Sequence, residues 1–454
     1  MKNEYGYLPN ETPSLGKLLL YALQQVIVMF PATVTVALIT GFQVSTTIFA
    51  SGLATLCFIL ITQKKIPLYY GSSFAYLSAV SAMVMAEGTA DQIASWQATG
   101  ILPTELISKA QFGIIMSGFV SIAAGLLVKK FGKDSVEKVL PASITGPVSM
   151  VIGLTLAGNA LSDAISAGNT AWCIVALITL ISTMIYSRYL KGLLGQLPLL
   201  LGAVTGCIVA GLFALFGINL FRSIPTEALN SLWSFGPFAI PAFSLPKYSW
   251  AALIGIMPIA IATIPESTAH VYQLDLYVQD IAKKKGVEAD RIENLLDKNL
   301  IGDGLCDMIS GLIGGPAGTN YGENISTMAI TRVFSIPVLI AASIIAMIIS
   351  CFTPLIQGIY AIPLAVIGGL EIYLFGAIAA QGMAIMIDKK VDMFDSKNIA
   401  VIATIVIVGI GGQYAFGGNI PLFGMNIPCV AGAAIAGILI NALLSIKKKG
   451  VMNE

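Results

Sequence analysis

Long apolar segments are the feature that most constrains what this chain can fold into. Only 11% of the 454 residues are charged, whereas an ordinary soluble domain carries about 25%. The sequence therefore predicts an all-α polytopic membrane protein and excludes a cytosolic enzyme, a nucleic-acid binder and a disordered protein. We count about fourteen apolar segments, near 16–40, 46–62, 70–87, 111–128, 139–158, 170–187, 195–217, 250–274, 299–314, 321–334, 336–357, 361–385, 399–416 and 427–446.

The distribution of basic residues predicts the orientation in the membrane. With an even number of spans, all but three of the 25 Lys and Arg residues lie in alternate connections or at the chain ends. The exceptions are Lys109, Arg222 and Lys247. Because basic residues favour the cytoplasmic side, we expect a multi-pass protein of the inner (cytoplasmic) membrane with both termini in the cytoplasm. The polar start, residues 1–17, lacks the apolar core of a cleavable signal peptide.

The cysteines predict neither a disulfide framework nor a metal site. They are scattered singly through apolar segments, where cysteine commonly serves as a small core residue. We therefore expect no metal and no cofactor. The six positions are Cys57, Cys173, Cys207, Cys306, Cys351 and Cys429.

A weak internal repeat runs through the chain. Residues 70–74 (Tyr-Gly-Ser-Ser-Phe) recur as 321–325 (Tyr-Gly-Glu-Asn-Ile), and residues 140–146 resemble 362–368. With seven spans in each copy, the second copy enters the membrane from the opposite side. Inverted repeats of this kind are typical of secondary transporters.

Both Tyr-Gly stretches begin short apolar segments that follow helix-breaking residues, Ile66-Pro67 in one copy and 314–318 (Gly-Gly-Pro-Ala-Gly) in the other. We therefore predict that spans three and ten are broken, each with a short extended piece followed by a half-helix. The two half-helix N-termini would face each other near the midplane and offer free N–H groups to a polar substrate. The alternative is that the glycines only allow close helix packing.

Five acidic residues fall in or beside the predicted spans: Glu266, Asp303, Asp307, Glu323 and Glu371. An ionisable group inside a bilayer is costly, so each is a candidate functional residue. Asp303 and Asp307 share one helix face, and we interpret Asp303 as a hydrogen-bonding support for the neighbouring broken helix. Asp307 is expected to face the cytoplasmic mouth only, and Glu371 is given no specific role.

Glu323 and Glu266 are the strongest of these candidates. Glu323 lies at the predicted start of a half-helix, where the helix dipole favours a carboxylate, although it could be a capping acid only. Glu266 follows Pro265, and His270, the single histidine, lies four residues on and so on the same helix face. A Glu–His pair inside a membrane is typical of a proton relay. The alternative is that His270 only packs near a helix end.

The candidate residues also indicate a class of substrate. A carboxylate accepts from N–H and a protonated carboxyl donates to C=O, which suits a small neutral molecule with several such groups. Protonation of a buried carboxyl could couple proton uptake to binding, and Phe74 could stack on a flat ring. These residues do not distinguish a nucleobase from another planar imide or amide.

Several motifs also resemble those of a known family, the nucleobase–ascorbate transporter (nucleobase:cation symporter-2) family, and within it the uracil permeases. They are residues 323–332 (Glu-Asn-Ile-Ser-Thr-Met-Ala-Ile-Thr-Arg), 362–369 (Ile-Pro-Leu-Ala-Val-Ile-Gly-Gly), 71–75 (Gly-Ser-Ser-Phe-Ala) and the spacing of Glu266 and His270. The likeness covers nearly the whole chain. The chain departs from the family pattern at Ser326, which replaces the hallmark glycine, and at Gln25, where histidine is usual. The residues between Glu266 and His270 also differ from those of uracil permeases.

The resemblance implies fourteen spans in two inverted repeats, divided into a core domain and a gate domain. The core would comprise residues 1–138 (spans one to four) and 250–358 (spans eight to eleven). The gate would comprise residues 139–249 (spans five to seven) and 359–454 (spans twelve to fourteen). It also implies alternating access, proton symport and a homodimer in the lipid bilayer, with a small nucleobase as partner and no nucleic acid.

The resemblance further implies roles for individual residues. Glu266 and Glu323 would bind the base, Phe74 would contact its ring, and backbone amides near Phe74 and Gly322 would donate to it. Ser73 would also belong to the substrate-binding site. His270 would assist Glu266 in proton coupling. Structural support would come from Asp303, Asn324, Thr331 and Arg332.

The favoured function is import of uracil, and the chain is not expected to be an enzyme. The alternatives are a proton-coupled xanthine or purine permease and, less favoured, an anion transporter of the same architecture, which two acids in the site argue against. An intramembrane enzyme would lack a Ser/His/Asp or zinc-ligand set.

Overall fold

The computed structural model describes residues 5–133, 139–165, 169–223, 234–422 and 425–446. Five basic residues that contribute to the predicted orientation lie outside these ranges, namely Lys2, Lys138, Lys447, Lys448 and Lys449. Lys138 is also the last residue of the first predicted domain segment.

Helices dominate the described part of the chain, as the apolar segments predict. They are α1 (Leu15–Thr40), α2 (Val44–Ile61), α3 (Leu77–Glu87), α4 (Ala90–Thr99), α5 (Thr104–Phe131), α6 (Ala142–Thr155), α7 (Ala157–Ala164), α8 (Thr170–Tyr189), α9 (Pro198–Leu215), α10 (Trp250–Ile256), α11 (Ala260–Lys285), α12 (Leu296–Ile313), α13 (Gly322–Thr331), α14 (Ile336–Ser350), α15 (Thr353–Tyr360), α16 (Leu364–Asp388), α17 (Ser396–Phe416) and α18 (Cys429–Leu444). Short 3₁₀ turns cover Phe74–Tyr76, Leu194–Gln196, Met257–Ile259 and Ile292–Leu295.

Among the described residues, nine helical stretches are long and apolar enough to cross a membrane. Three further apolar helices are shorter, namely Phe74–Glu87, Ile336–Ser350 and Cys429–Leu444. The helix α12 is long enough but carries acidic and basic residues along its length. The chain is therefore a multi-pass helical membrane protein, and the predicted fold class is confirmed at that level.

A pair of three-residue strands joins the two halves of the chain. Strand β1 (Tyr70–Ser72) runs antiparallel to β4 (Gly318–Asn320), with Gly71 opposite Thr319. Each strand leads into a short helical segment, Phe74–Glu87 after β1 and α13 after β4. The predicted extended pieces in both copies of the repeat are therefore confirmed.

Two glycines allow these strands to approach so closely. A Cβ atom at Gly71 would collide with the ring of Tyr321, and a Cβ atom at Gly318 would collide with the ring of Tyr70. The tyrosine of each Tyr-Gly copy thus packs on a strand of the other copy. Larger residues at either glycine would separate the strands.

Side chains complete the hydrogen bonding of this backbone, because lipid offers none. Thr55 Oγ1 accepts from the Tyr70 N–H at 3.0 Å and donates to its carbonyl at 3.1 Å. Asp307 Oδ1 accepts from the Gly318 N–H at 2.8 Å and from the Tyr70 hydroxyl. The expectation that Asp307 faces only the cytoplasmic mouth is wrong, because Asp307 is 2% exposed and clamps both strands.

Several short elements were not predicted. Two hairpins, β2 (Ser234–Phe235) with β3 (Phe238–Ala239) and β5 (Asn419–Leu422) with β6 (Met425–Pro428), lie in connections. The short helices α4, α7 and α15 were also missed or merged with neighbouring spans. Elements this short give no clear periodic signal in the sequence.

The helices pack in two groups. In the first, α12 packs on α5 and α2, and α14 packs on α1 and α2. In the second, α16 packs on α6, α7 and α8, while α17 packs on α6 and α18. The strand pair belongs to the first group through its contacts with α2, α1 and α12.

Candidate functional site

A cavity of about 220 Å³ lies between the two helix groups. Drug-sized ligands occupy pockets of about 300–1,000 Å³, so this volume suits a smaller molecule such as a single planar ring. Its lining consists of Ser72, Ser73, Phe74, Ala75, Thr145, Ser149, Ile152, Ala262, Pro265, Glu266, His270, Thr319, Asn320, Tyr321, Gly322, Glu323, Ile378, Gln381 and Ile385.

Two walls of different character enclose this cavity. The ends of β1 and β4, the start of α13 and part of α11 form one wall, which carries both glutamates and the histidine. The other wall comes from α6 and α16 and carries no charged side chain. Its polar side chains are those of Thr145, Ser149 and Gln381.

Glu266 and Glu323 meet at this cavity although 56 residues lie between them in the sequence. Glu266 follows Pro265 inside α11, and Glu323 lies in the first turn of α13. The two carboxyls are close enough to interact electrostatically. The Glu323 side chain is exposed because it faces the cavity, and the helix N-terminus favours a negative charge there.

His270 lies one helical turn after Glu266 and lines the same cavity. Its imidazole is within hydrogen-bonding reach of the Asn320 backbone. Its Nε2 atom lies only 2.9 Å from where a Cβ of Gly322 would stand. The Nδ1 atom is buried and finds no hydrogen-bond partner in the described part of the chain. The histidine therefore packs against the start of α13, one helical turn along α11 from Glu266.

Ser73 and Phe74 directly follow strand β1. Phe74 opens a 3₁₀ turn, is half-buried and lines the cavity. Ser73 lines it too, but its side chain and N–H are used within the protein. The Ser73 Oγ accepts from the Ala75 N–H at 3.3 Å, and its N–H donates to the Ala317 carbonyl at 2.9 Å. Ser73 is thus placed to fix the backbone beside Phe74.

Asp303 lies behind the strand rather than in the cavity. It is 7% exposed, and its Oδ2 accepts from the Ser267 hydroxyl, from Asn299 Nδ2 at 3.4 Å and from Asn320 Nδ2 at 3.3 Å. This network ties α11 and α12 to the last residue of β4. The geometry is that of the support predicted for Asp303.

The other predicted support residues also lie outside the cavity lining. Asn324 Nδ2 donates to Gln25 Oε1 at 2.8 Å and to the Gln25 carbonyl at 3.0 Å, which fastens α13 to α1. Thr331 Oγ1 donates to the Thr327 carbonyl at 2.9 Å at the end of the same helix. Arg332 ends that helix in the left-handed region (φ 58°), and its carbonyl accepts from the Tyr7 N–H at 2.7 Å.

The polar residues on the opposite wall were not predicted from the sequence. Thr145, Ser149 and Gln381 each stand in an apolar span and line the cavity. The available signal was the isolated polar side chain in an apolar segment, but threonine and serine are common in buried membrane helices. In the described ranges no group of three or more His, Cys, Asp or Glu side chains could hold a metal ion.

Comparison with known families gives a match over most of the chain. The model of a family described as "Permease family" matches residues 16–418. The uracil permease of Bacillus caldolyticus is 33% identical over 451 residues, which are 98% of this chain and 95% of the relative. The uracil permease of Escherichia coli (strain K12) is 31% identical over 444 residues, 96% and 94% of the two chains. The putative pyrimidine permease RutG of Escherichia coli (strain K12) is 31% identical over 441 residues, 97% and 92%.

Solved structures share the fold at low sequence identity. The transmembrane domain of a cyanobacterium bicarbonate transporter, BicA, has a TM-score of 0.58 at 15% identity and covers 95% of this chain and 99% of that one. The murine anion transporter Slc26a9 in its inward-facing state has a TM-score of 0.66 at 12% identity, covering 96% and 69%. At these identities the likeness concerns architecture alone.

Proposed function

Because the chain belongs to the permease family, we propose that it imports a nucleobase, uracil in the first place, by proton symport. The observation that carries this proposal is the meeting of Glu266 and Glu323 at one cavity beside Phe74 and His270. The identity of 31–33% to uracil permeases over nearly the full length supports the choice of uracil.

The chemistry of the cavity suits a flat molecule with N–H and C=O groups. Uracil presents two ring N–H donors and two carbonyls. A carboxylate accepts from N–H, and a protonated carboxyl still accepts through its carbonyl oxygen, so Glu266 and Glu323 would bind the donors. The first N–H groups of a helix have no partner within that helix, so the amides at Gly322 and Phe74 would donate to the carbonyls. The Phe74 ring would pack against the face of the base.

The same two carboxyls would couple transport to protons. Two carboxylates close together in a poorly hydrated cavity repel each other, which favours a proton on one of them. His270, one turn from Glu266, would pass that proton to and from the carboxyl. In this scheme no metal or organic cofactor takes part, and the proton is the coupling ion.

Alternating access would arise from movement between two domains. The proposed core comprises residues 1–138 and 250–358, and the proposed gate comprises 139–249 and 359–454. Packing of the helices in two groups, with the cavity between them, supports this division. Fourteen spans in two inverted repeats would explain why β1 and β4 pair antiparallel and why each tyrosine packs on the other copy's strand.

The surroundings follow from the same proposal. The protein would lie in the inner membrane with both termini in the cytoplasm, as the basic residues favour. It would act as a homodimer through gate helices, since the α8 and α9 spans bury only 28% and 17% of their length inside the described chain. Cross-linking in native membranes would measure the oligomer.

Uptake of labelled uracil into proteoliposomes tests the proposal. We expect accumulation under an inward proton gradient and its collapse on adding a protonophore. Glu323→Gln should abolish binding and uptake, because the amide presents N–H donors where the substrate also donates. Glu288→Gln makes the same chemical change at an exposed residue and should leave uptake intact.

Other outcomes would redirect the assignment. Competition by xanthine with none by uracil would select a purine permease. Currents carried by chloride or bicarbonate without any nucleobase would favour anion transport, which the shared fold with BicA and Slc26a9 permits and the two cavity acids oppose. Folded protein that binds no uracil would overturn the uracil assignment.

A further inference from the structure

A second group of ionisable side chains lies away from the cavity. Asp163 stands near the end of α7, Glu371 on α16 and Arg222 in the segment that follows α9. Along α16, Glu371 precedes Ile378, the first cavity-lining residue of that helix, by a rise of about 10 Å. The cluster therefore lies at a different depth from the cavity and takes no part in the proposed binding site.

The two carboxyls of this cluster lie within hydrogen-bonding reach of each other. Close backbone packing brings them together, since the backbone of Asp163 and Ala164 lies against Gly368, one turn before Glu371. Trp172 Nε1 donates to the Asp163 carbonyl at 2.9 Å and fixes that end of α7. Glu371 is 1% exposed, and its Oε2 finds no partner among the described residues.

A carboxyl pair of this kind requires a proton. An ionised carboxylate only accepts hydrogen bonds, so two carboxyls can bond directly only when one of them is protonated. A direct bond between Asp163 and Glu371 would therefore hold one proton and one negative charge. The unpartnered Oε2 of Glu371 is a further place for a proton at the same site.

Arg222 connects this pair to the other helix group. Its guanidinium lies near Asp163 and near Tyr360, and its Nη2 donates to the Thr99 carbonyl at 3.1 Å. Its own N–H donates to the Ala361 carbonyl at 3.2 Å. Thr99 ends α4 and belongs to the proposed core. Arg222 follows α9 and Ala361 precedes α16, and both belong to the proposed gate. The arginine thus joins the core to the gate at a place where the two must separate when the transporter opens.

The charges explain why one proton matters. Asp163, Glu371, Arg222 and Tyr360 are the ionisable groups among the described residues that influence one another electrostatically here. With one proton on the carboxyl pair, the negative charge balances that of Arg222. Removing that proton leaves an uncompensated negative charge in a buried place, which is unfavourable.

We propose that Asp163 and Glu371 form a second proton-binding site, distinct from the cavity, which through Arg222 holds the side of the transporter opposite the termini closed. This inference rests on the proposed alternating access. The closed state binds the proton and the open state releases it, so closure is favoured at low pH. Opening increases as pH rises, by up to about tenfold per pH unit for a single proton.

Hydrogen–deuterium exchange of the purified protein, without any substrate, tests the inference. The readout is exchange in peptides that cover 99–102 and 361–364, measured from about pH 5.5 to about pH 8.5. Glu371→Gln keeps a neutral donor beside Asp163 and mimics the protonated pair. At each pH the exchange rate of the wild type is divided by that of Glu371→Gln, so that the pH dependence of intrinsic amide exchange cancels. We expect this ratio to increase more than threefold over that pH range.

Asp163→Asn is the matched variant, because it removes the negative charge next to Arg222 and leaves one on Glu371. It should give faster exchange than Glu371→Gln at every pH. Arg222→Gln, in a connection where folding is least at risk, removes a positive charge that favours the ionised pair and should shift the increase in exchange toward higher pH. A wild-type ratio that does not change with pH, or equal exchange in the two carboxyl variants, would overturn the proposal. Neither result depends on which substrate is carried.

Discussion

Replacing Asp307 by alanine is the sharpest test of how the cavity is held in shape. Its Oδ1 accepts from the Tyr70 hydroxyl and from the Gly318 N–H, so one carboxyl holds both strands of the β1–β4 pair. Alanine would leave two donors buried without partners, and Asp307 is itself only 2% exposed. The strands lead directly to Phe74 and to Glu323, so loosening them should reach the proposed binding site.

The expected magnitude follows from the two donors. A buried polar group left without its partner costs about 1–3 kcal/mol, so the pair of donors should cost about 2–6 kcal/mol. Even the lower figure of about 2 kcal/mol corresponds to roughly a 30-fold change in an opening equilibrium. The effect should be local, because the long helices around the strands keep their own packing.

Amide exchange in the two strands measures this opening. Peptides covering 70–72 and 318–320 should exchange at least tenfold faster in Asp307→Ala than in the wild type, and uracil binding should weaken in parallel. Asp307→Asn retains the Oδ1 acceptor and serves as the control, with exchange near the wild-type rate. If a folded Asp307→Ala protein exchanges these amides at the wild-type rate, the clamp does not hold the strands. The same conclusion follows if the asparagine variant matches the alanine variant.

Three smaller changes test other contacts. Gly322→Ala places a Cβ atom 2.9 Å from Nε2 of His270. Proton-driven uptake should therefore fall strongly while the melting temperature changes little, as uptake assays and melting curves would show. Phe74→Leu removes an aromatic face worth about 0.5–1.5 kcal/mol, which predicts roughly two- to tenfold weaker uracil binding in a competition assay; unchanged affinity would remove Phe74 from the site. Tyr321→Phe removes a hydroxyl that hydrogen-bonds Thr33 Oγ1 at 3.0 Å and the Ser72 carbonyl at 2.9 Å, and should lower the free energy of unfolding by about 1 kcal/mol, measurable by denaturant titration.

Local sequence signals accounted for the helices and the broken segments. Long apolar runs predicted the positions of most helices, because a helix forms all of its backbone hydrogen bonds within one segment and is therefore stable in lipid. Helix breakers beside the two Tyr-Gly copies marked β1 and β4, since proline and glycine interrupt a helix wherever it forms. Glu323 was identifiable for a related reason, as an acid at the start of a short helix.

Contacts between distant parts of the chain could not be found in this way. The expectation for Asp307 failed because its partners, Tyr70 and Gly318, lie on two strands that meet only in the folded chain. Gln381 looked like any polar residue in an apolar span, and only the packing of α16 shows that it lines the cavity. Glu371 had no predicted role for the same reason, because Asp163 comes from a different helix.

The strand pair explains why the cavity lies where it does. A helix that stops inside a bilayer leaves polar backbone groups that lipid cannot satisfy. Here β1 and β4 satisfy part of this need by pairing with each other, and Thr55 and Asp307 supply further partners. The short helices that follow then begin inside the protein, with their first N–H groups directed to one place. A cavity lined by two helix starts and two carboxyls therefore follows from breaking both spans at the same depth. A transporter that binds a small polar molecule at the midplane needs that arrangement.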